Sequence, residues 1–588
     1  MEWIIGKISK DSTKKKIIYL FLIVFYLLFF YVICESSYMA DDMINSNVLG
    51  IKYIGEENVW QLTTRIAKEW IDAGRFFPLS DYVYFLFYFI PSRRIYKLLI
   101  VVAIIINGVL FSHCINKITK SYACACLTML MYPLSIQLTG EFDSGIYCFH
   151  MLIQLTFLWV ILSLIFCFKS YDYMDDNKVK SVIYGILSAA FLFCALSTYE
   201  VSYVLVPFIV ICVYCYTDNV KETIKVFVPQ IIAILIGVII NLILRMNVSA
   251  VGYTGISINL NAKTVIITFL KQIVCLFPFS RFIARTILYD GIPYALDDLI
   301  SSVRITDLVM IIIYIILFIT LSLYFEKSNI NKRKLLLFFL ISVCLIVFPA
   351  ALISITINYQ DTLDWGMGHI SSYIQSFGLA ILIVCLISII IKHLNNKKIL
   401  NVVLSILAVV SSLILIGQEI EARTSAYINN LSHRYPVENI ESAAKCGLYD
   451  DILENDYLYV MSEYYFDNVD SKTFYSKYVK KNMPIYLYDD YLEDINKWDE
   501  YYLNENNVYI SNSYAEINNG YVYVSKISNI KDGNAYTENI KLYINNIKGV
   551  TIRYNEEGVT KIIDLSEEKA IYGILSAAFL FCALSTYE

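Results

Sequence analysis

Two adjacent carboxylates, Asp41 and Asp42 in the run YMADDMIN, are the residues of this chain best suited to chemistry. Paired carboxylates can take a proton from a hydroxyl, hold a divalent ion, or divide the two tasks. Further acidic groups stand at Glu141 and Asp143 (TGEFDSG), at Glu200 (STYEVSY), and at Asp361 and Asp364 near His369. If Asp41, Asp42, Glu141 and Asp143 converged without a cation they would repel one another. Asp42, Glu141 and Asp143 are therefore the oxygen donors to consider for a divalent ion such as Mg or Mn, whose use the sequence leaves open. Anionic oxygens call for arginine, whose planar fork can bind two of them at once. The candidates are Arg75, Arg93, Arg94, Arg281 and Arg285; Arg281 and Arg285 are four apart and share a face of any helix. Each has a plainer role to weigh against the chemical one. Carboxylates in polar loops are solvated, arginines beside a membrane anchor in headgroups, and His369 reads as an interfacial polar residue rather than a ligand.

The chain around them is built for a bilayer. Of 588 residues, 57% are hydrophobic, 15% aromatic and 17% charged, with 22 Gly and 10 Pro. Such a composition excludes a single soluble domain, a disordered chain and a collagen. The net charge of -5 conceals a division. Residues 1–418 hold 32 Lys/Arg against 25 Asp/Glu, and residues 419–570 hold 15 against 26. The first part reads as membrane, and the second as an acidic, water-soluble domain. The 14 cysteines make no framework: Cys124 and Cys126 lie in an apolar run without a nearby His, and Cys446 stands alone in the second part.

A hydrocarbon layer about 30 Å thick needs about 20 apolar helical residues. The runs that qualify are 17–33, 97–112, 121–138, 146–168, 182–198, 201–216, 226–246, 306–325, 335–357, 370–391 and 399–416. Lys14-Lys15-Lys16 precede the first run, which is too long for a signal-peptide core and lacks a small-x-small site, so it is expected to stay as a membrane helix. With the N-terminus in the cytoplasm, the inner segments collect 19 Lys/Arg, and the short outer loops 139–145, 199–200 and 358–369 collect none. Two further apolar stretches, 76–90 and 264–280, are placed outside, because one extra span would invert every later loop. Residues 58–73 form an amphipathic helix, with Val59, Leu62, Ile66, Trp70 and Ala73 on one face.

The expected organisation is then a membrane domain over 1–418, with outer loops 34–96 and 247–305, and an extracytoplasmic α+β domain over 419–570. Alternating runs at 507–511 (NVYIS) and 520–525 (GYVYVS) supply strands of the latter, and 438–456 is helical. Residues 571–588 repeat 183–200 letter for letter. True internal repeats diverge, so this tail is read as an artefact and left out of the fold.

With this topology the chain resembles the GT-C superfamily of membrane glycosyltransferases, and within it the bacterial glucosyltransferases that decorate surface polysaccharides. The resemblance is carried by Asp41-Asp42 soon after the first span, by the Gly74-Arg75-Phe76 step after the amphipathic helix, and by the Leu196-Ser197-Thr198-Tyr199-Glu200 hairpin. It covers residues 17–418 as a topology of about 11 spans. It departs from the family at Glu200, where Gln more often follows the Tyr.

The resemblance implies a polytopic GT-C-like fold in a bacterial cell membrane and transfer of a sugar, glucose or another hexose, from a polyprenyl-phosphate carrier to an extracytoplasmic glycan or lipid. It implies that one of Asp41 and Asp42 is the base and the other supports substrate or metal. Arg75, in the family-like step, is the preferred contact for the leaving phosphate, and Arg281, Arg285, Glu141, Asp143 and Glu200 are the further candidate substrate contacts. Membrane lipids are expected partners and nucleic acid is not. The competing readings are a flippase for lipid-linked sugars and a polysaccharide polymerase. A flippase would carry ionisable groups at mid-bilayer and related halves, and a polymerase would carry arginines in two large loops rather than a leading Asp pair.

Overall fold

The computed structural model describes residues 12–55, 57–138, 146, 149–247, 257–288, 303–326, 332–394, 396–460, 471–487, 507–516, 519–531, 534–546, 549–556 and 559–564. Glu141, Asp143 and the repeated tail 571–588 lie outside them. Contacts divide the chain into two compact units. The first holds residues 1–42, 63–83 and 92–426; the second holds 43–62, 84–91 and 427–588.

Among the described residues, 9 helices are long and apolar enough to cross a bilayer. They are Lys15–Glu35, Arg93–Thr119, Leu152–Asp172, Lys178–Leu196, Val220–Met246, Ile305–Phe325, Lys332–Ser354, Ser372–His393 and Lys397–Leu431. Two shorter apolar helices, Tyr122–Ser135 and Val201–Thr217, occupy the remaining expected spans. Polar side chains start several of them. Ser121 accepts from the Cys124 amide, Asn177 from Lys180, and Asn219 from Lys221 and Glu222, each satisfying amides that a helix start leaves open.

Ser372–His393 is the most enclosed of these helices. Its Phe377 ring lies 4.1 Å from Tyr132, 4.8 Å from Phe157 and 5.0 Å from Phe111. Val220–Met246 shows the opposite environment: Ile231, Ile232, Leu235, Ile239, Leu242 and Ile243 are all exposed, as suits a face turned to lipid. Buried polar groups at the centre of the bundle are tied to one another and to carbonyls, which lowers their cost where no water competes. Asn107 Nδ2 donates to Tyr373 Oη at 2.9 Å and to Gln154 O at 2.8 Å, and Tyr26 Oη donates to Met129 O at 2.7 Å.

The stretches 76–90 and 264–280 supply the helices Tyr82–Phe89 and Ala262–Val274, of 8 and 13 residues, too short to cross. The amphipathic segment is the helix Val59–Asp72. Asn58 Oδ1 accepts from the Trp60 and Gln61 amides, and Gln61 Oε1 returns a bond to the Asn58 amide, a reciprocal cap.

The last helix differs from its apolar run. It continues from Lys397 to His433, well past 416. The apolar run measures contact with lipid, whereas the helix persists because its polar continuation is packed. Gln418 Nε2 reaches the carbonyls of Leu134 and Ile136 at 3.4 and 3.3 Å, and a Cβ on Gly417 would lie 2.5 Å from the Phe279 ring.

The second unit is α+β. Its strands are β1 Tyr457–Val460, β2 Ile485–Leu487, β3 Val508–Glu516, β4 Asn519–Lys531, β5 Asn534–Asn546, β6 Gly549–Glu556 and β7 Val559–Asp564. They form one sheet in the order β2-β1-β3-β4-β5-β6-β7. β1 pairs parallel with β2 and β3, and the later strands form an antiparallel meander. Period-2 patterning puts Val522 and Val524 of β4 into a core with Leu458, Val460, Ile440 of helix Tyr435–Lys445, and Phe474 and Tyr475 of helix Ser471–Val479.

Candidate functional site

The acidic pair sits where the chain leaves the first span. The last carbonyls of a helix have no partner within it, and here an arginine supplies donors. Arg93 Nη1 donates to Cys34 O at 3.0 Å and to Ser36 O at 2.5 Å. The chain then turns at Ala40, whose φ of 45° is left-handed and strained for a residue with a Cβ. The one-turn helix Asp41–Asn45 follows, with both acids in its first turn.

Adjacent helical positions diverge by about 100°, and the two acids meet different surroundings. Asp42 has no exposed surface. Its Oδ1 accepts from Tyr96 Oη at 2.9 Å, and Lys97 Nζ lies 3.8 Å from its Oδ2, with both side chains of the pair fully buried. Lys97 in turn lies 5.9 Å from the Tyr38 and Tyr96 ring centres. The phenol of Tyr82 is held well above its usual range, by burial first and by the Asp42 charge second. Asp41 is only half-buried.

The Gly74-Arg75-Phe76 step and the 196–200 hairpin come together. Gly74 takes a φ of 79°, a region open to glycine, which turns the chain out of the amphipathic helix. Arg75 is buried, with its guanidinium 4.3 Å from the Phe77 ring centre and 5.0 Å from that of Trp70. Its Nη2 meets Glu200 Oε2 at 3.1 Å, and Arg245 approaches Glu200 Oε1 at 3.6 Å. The Leu79 amide donates to Ser197 O at 3.2 Å, a second tie between the two segments. Beyond this step lies a buried acid that pattern reading missed: Asp81 is 2% exposed, and burial lifts its carboxyl to about 7 against a smaller opposing effect of the Ser80 hydroxyl.

Arg281 and Arg285 share the helix Ser280–Leu288, and Arg281 is buried. A Cβ on Gly366 would lie 2.6 Å from Arg281 Cα, so the segment before the tenth expected span presses against this helix start. The side chain of Arg285, like Glu141 and Asp143, is outside the described residues. Asp361 and Asp364 are exposed. His369 corrects the expectation of an interfacial residue: it is 4% exposed, its ring lies 4.0 Å from Tyr359 and 5.7 Å from Phe149, and burial holds it neutral down to about 3.

A second charged group was not foreseen. Arg423 grips Asp307 with two bonds, Nη1 to Oδ1 at 2.9 Å and Nη2 to Oδ2 at 2.8 Å, and the Arg304 amide donates to Asp307 Oδ2 at 2.8 Å. Arg304 Nη1 lies 3.5 Å from Glu35 Oε2, at the end of the first span. Glu419 and Glu421 are buried on the same helix as Arg423. The i, i+4 spacing of Glu419 and Arg423 just past an apolar run is the signal that marks one charged face.

Among the described residues, no group of three or more His, Cys, Asp or Glu side chains is arranged to hold a metal ion. Asp42 already faces the Lys97 ammonium, which would repel a divalent ion placed beside it, so the described residues do not by themselves fit such an ion.

No family model matches the chain, and no curated protein does. Among solved structures it is similar to the crystal structure of ArnT from Cupriavidus metallidurans bound to undecaprenyl phosphate, at 10% identity and a TM-score of 0.35, over 86% of this chain and 94% of that one. At that score the likeness carries no argument about function.

Proposed function

We propose that the chain is an integral-membrane glycosyltransferase of the GT-C kind, moving glucose or another hexose from a polyprenyl-phosphate carrier to a cell-surface glycan or lipid. The observation that carries this reading is the division within the acidic pair. Asp42 is buried and fixed by Tyr96 and Lys97, while Asp41 beside it keeps partial exposure. A base that must meet a mobile acceptor needs access, and its neighbour needs none. The short spacing from the first span suits a donor whose prenyl tail stays in the bilayer.

In this reading Asp41 accepts the proton of the acceptor hydroxyl. The oxygen attacks the sugar C1 opposite the phosphate, and the C1–O bond breaks with its electron pair leaving on the polyprenyl phosphate, so configuration inverts. Arg75, Arg281 and Arg285 are the residues proposed to meet that phosphate. Asp42 holds the helix that aims Asp41.

The test uses the full chain in lipid nanodiscs with polyprenyl-phosphate [14C]glucose and a glycolipid extract as acceptor. Asp41→Asn is expected to lower turnover about 100- to 10,000-fold, the range for loss of a general base, with folding intact. Wild-type turnover in both Asp41→Asn and the Asp41→Asn/Asp42→Asn double variant would reject the assignment.

A further inference from the structure

Helix Val220–Met246 turns much of its surface to lipid, yet one stripe of it faces protein. Gly237, Asn241 and Arg245 recur at steps of four and therefore share that stripe. A Cβ on Gly237 would lie 2.8 Å from Tyr203 Oη, and Asn241 Nδ2 donates to the same hydroxyl at 2.8 Å. The stripe thus closes on the residues that follow the 196–200 hairpin, and one turn further along it brings Arg245 to Glu200. This last contact is of another kind. At 3.6 Å it is an ion pair too long for a hydrogen bond, and the Arg245 side chain keeps 45% of its surface exposed, against 10% for Arg75 on the other Glu200 oxygen. Two guanidinium groups share one carboxylate, so the charges do not cancel and the group stays cationic. Exposure rises from Arg75 through Glu200 to Arg245, toward a helix end where Leu242 and Ile243 are exposed. An arginine that only anchors in headgroups extends outward along its helix, whereas Arg245 turns to a carboxylate that already holds a second arginine. Its five N–H donors let it keep Glu200 and still meet an anionic oxygen.

We infer that Arg245, with Arg75 behind it, binds the phosphate of a membrane lipid, and that Glu200 is the counter-ion with which that phosphate competes. Arg75, Glu200, Arg245 and Asp42 all belong to the first unit, and Tyr82, on the segment that begins at Arg75, feels the Asp42 charge. The site and the acidic pair are thus joined by one short stretch of chain. That the lipid is the polyprenyl-phosphate donor rests on the proposed function; the lipid-phosphate site itself does not.

Equilibrium binding of [32P]polyprenyl phosphate to the full chain in detergent micelles, with turnover measured on the same preparations, tests the inference. Arg245→Gln is expected to weaken binding at least about tenfold, the loss of one charge-assisted contact. Glu200→Gln keeps the shape and removes the competing charge, so it is expected to tighten binding at least about threefold. A merely structural contact would not give opposite signs, because breaking it from either side loosens the same packing. Unlabelled polyprenyl phosphate should displace the label from the wild type, and excess inorganic phosphate should not. Wild-type affinity in Arg245→Gln, or weaker binding in Glu200→Gln, overturns the site, and displacement by inorganic phosphate overturns its assignment to a lipid. If Arg245→Gln fails to fold, Arg245→Lys decides, with an expected loss of at least about threefold because the planar fork is gone. A wild-type chain that binds the label with these responses but transfers no sugar retires the proposed function and leaves the site standing. Sugar transfer by Arg245→Gln at the wild-type donor KM retires the site alone.

Discussion

The pair Asp42–Lys97 can be tested by a double-mutant cycle whose outcome follows from burial. At 3.8 Å and an effective dielectric constant near 20, the two charges attract by about 4 kcal/mol. Removing either partner leaves the other charge with no exposed surface and without this ion pair, which costs about 3–5 kcal/mol. Removing both strands no charge. Asp42→Asn and Lys97→Met should therefore each lower stability by several kcal/mol, and the double variant should recover most of that loss. The assay is thermal unfolding of the purified protein in one detergent, with ligand-free samples at one pH, so that the three variants differ only in charge. Additive losses, with the double variant no more stable than the worse single one, would show that the two groups do not compensate each other. The supporting role assigned to Asp42 would then lose its basis.

Two pH dependences follow from buried groups outside the spans. Asp81 is raised to about 7 by burial, so between about pH 4 and 7 the folded chain keeps a proton that the unfolded chain has released. Stability falls as pH rises through that window and stays lower above it; Asp81→Asn should raise unfolding stability at pH 8 by up to about 4 kcal/mol and change little at pH 4. An equal effect at both pH values refutes the burial account. His369 is lowered to about 3 by burial, so the unfolded chain takes up a proton below about pH 6.5 that the folded chain refuses. Stability is lost as pH falls through that range, and His369→Gln should flatten the acid limb of an unfolding profile. An unaltered limb would show that the ring is not the group responsible.

The apolar helices were legible because lipid demands long apolar runs. Each of the 11 expected runs corresponds to an apolar helix, 9 of them long and 2 short. The strands at 507–511 and 520–525 were legible because alternation is local. What escaped is what depends on partners far away in sequence. Arg75 and Glu200 were both singled out, yet nothing local says that two residues 125 apart pair with each other. Asp307 and Arg423 are 116 apart, and Glu419 and Arg423 lay just past the point at which an apolar scan stops. The acidic pair itself was visible, but its division into a buried and an accessible member needed Tyr96 and Lys97 to be brought beside it.

The length of the last helix bears on how its charges are tolerated. At about 1.5 Å per residue, a layer about 30 Å thick is crossed in about 20 residues, or one more at an ordinary tilt. Counted from Lys397 at the helix start, the oil ends near residue 417, and the charged stretch from Glu419 to Arg423 begins just beyond it. On that count these carboxylates and their arginine would fall at headgroup depth. No ion path through the bilayer is needed to account for them.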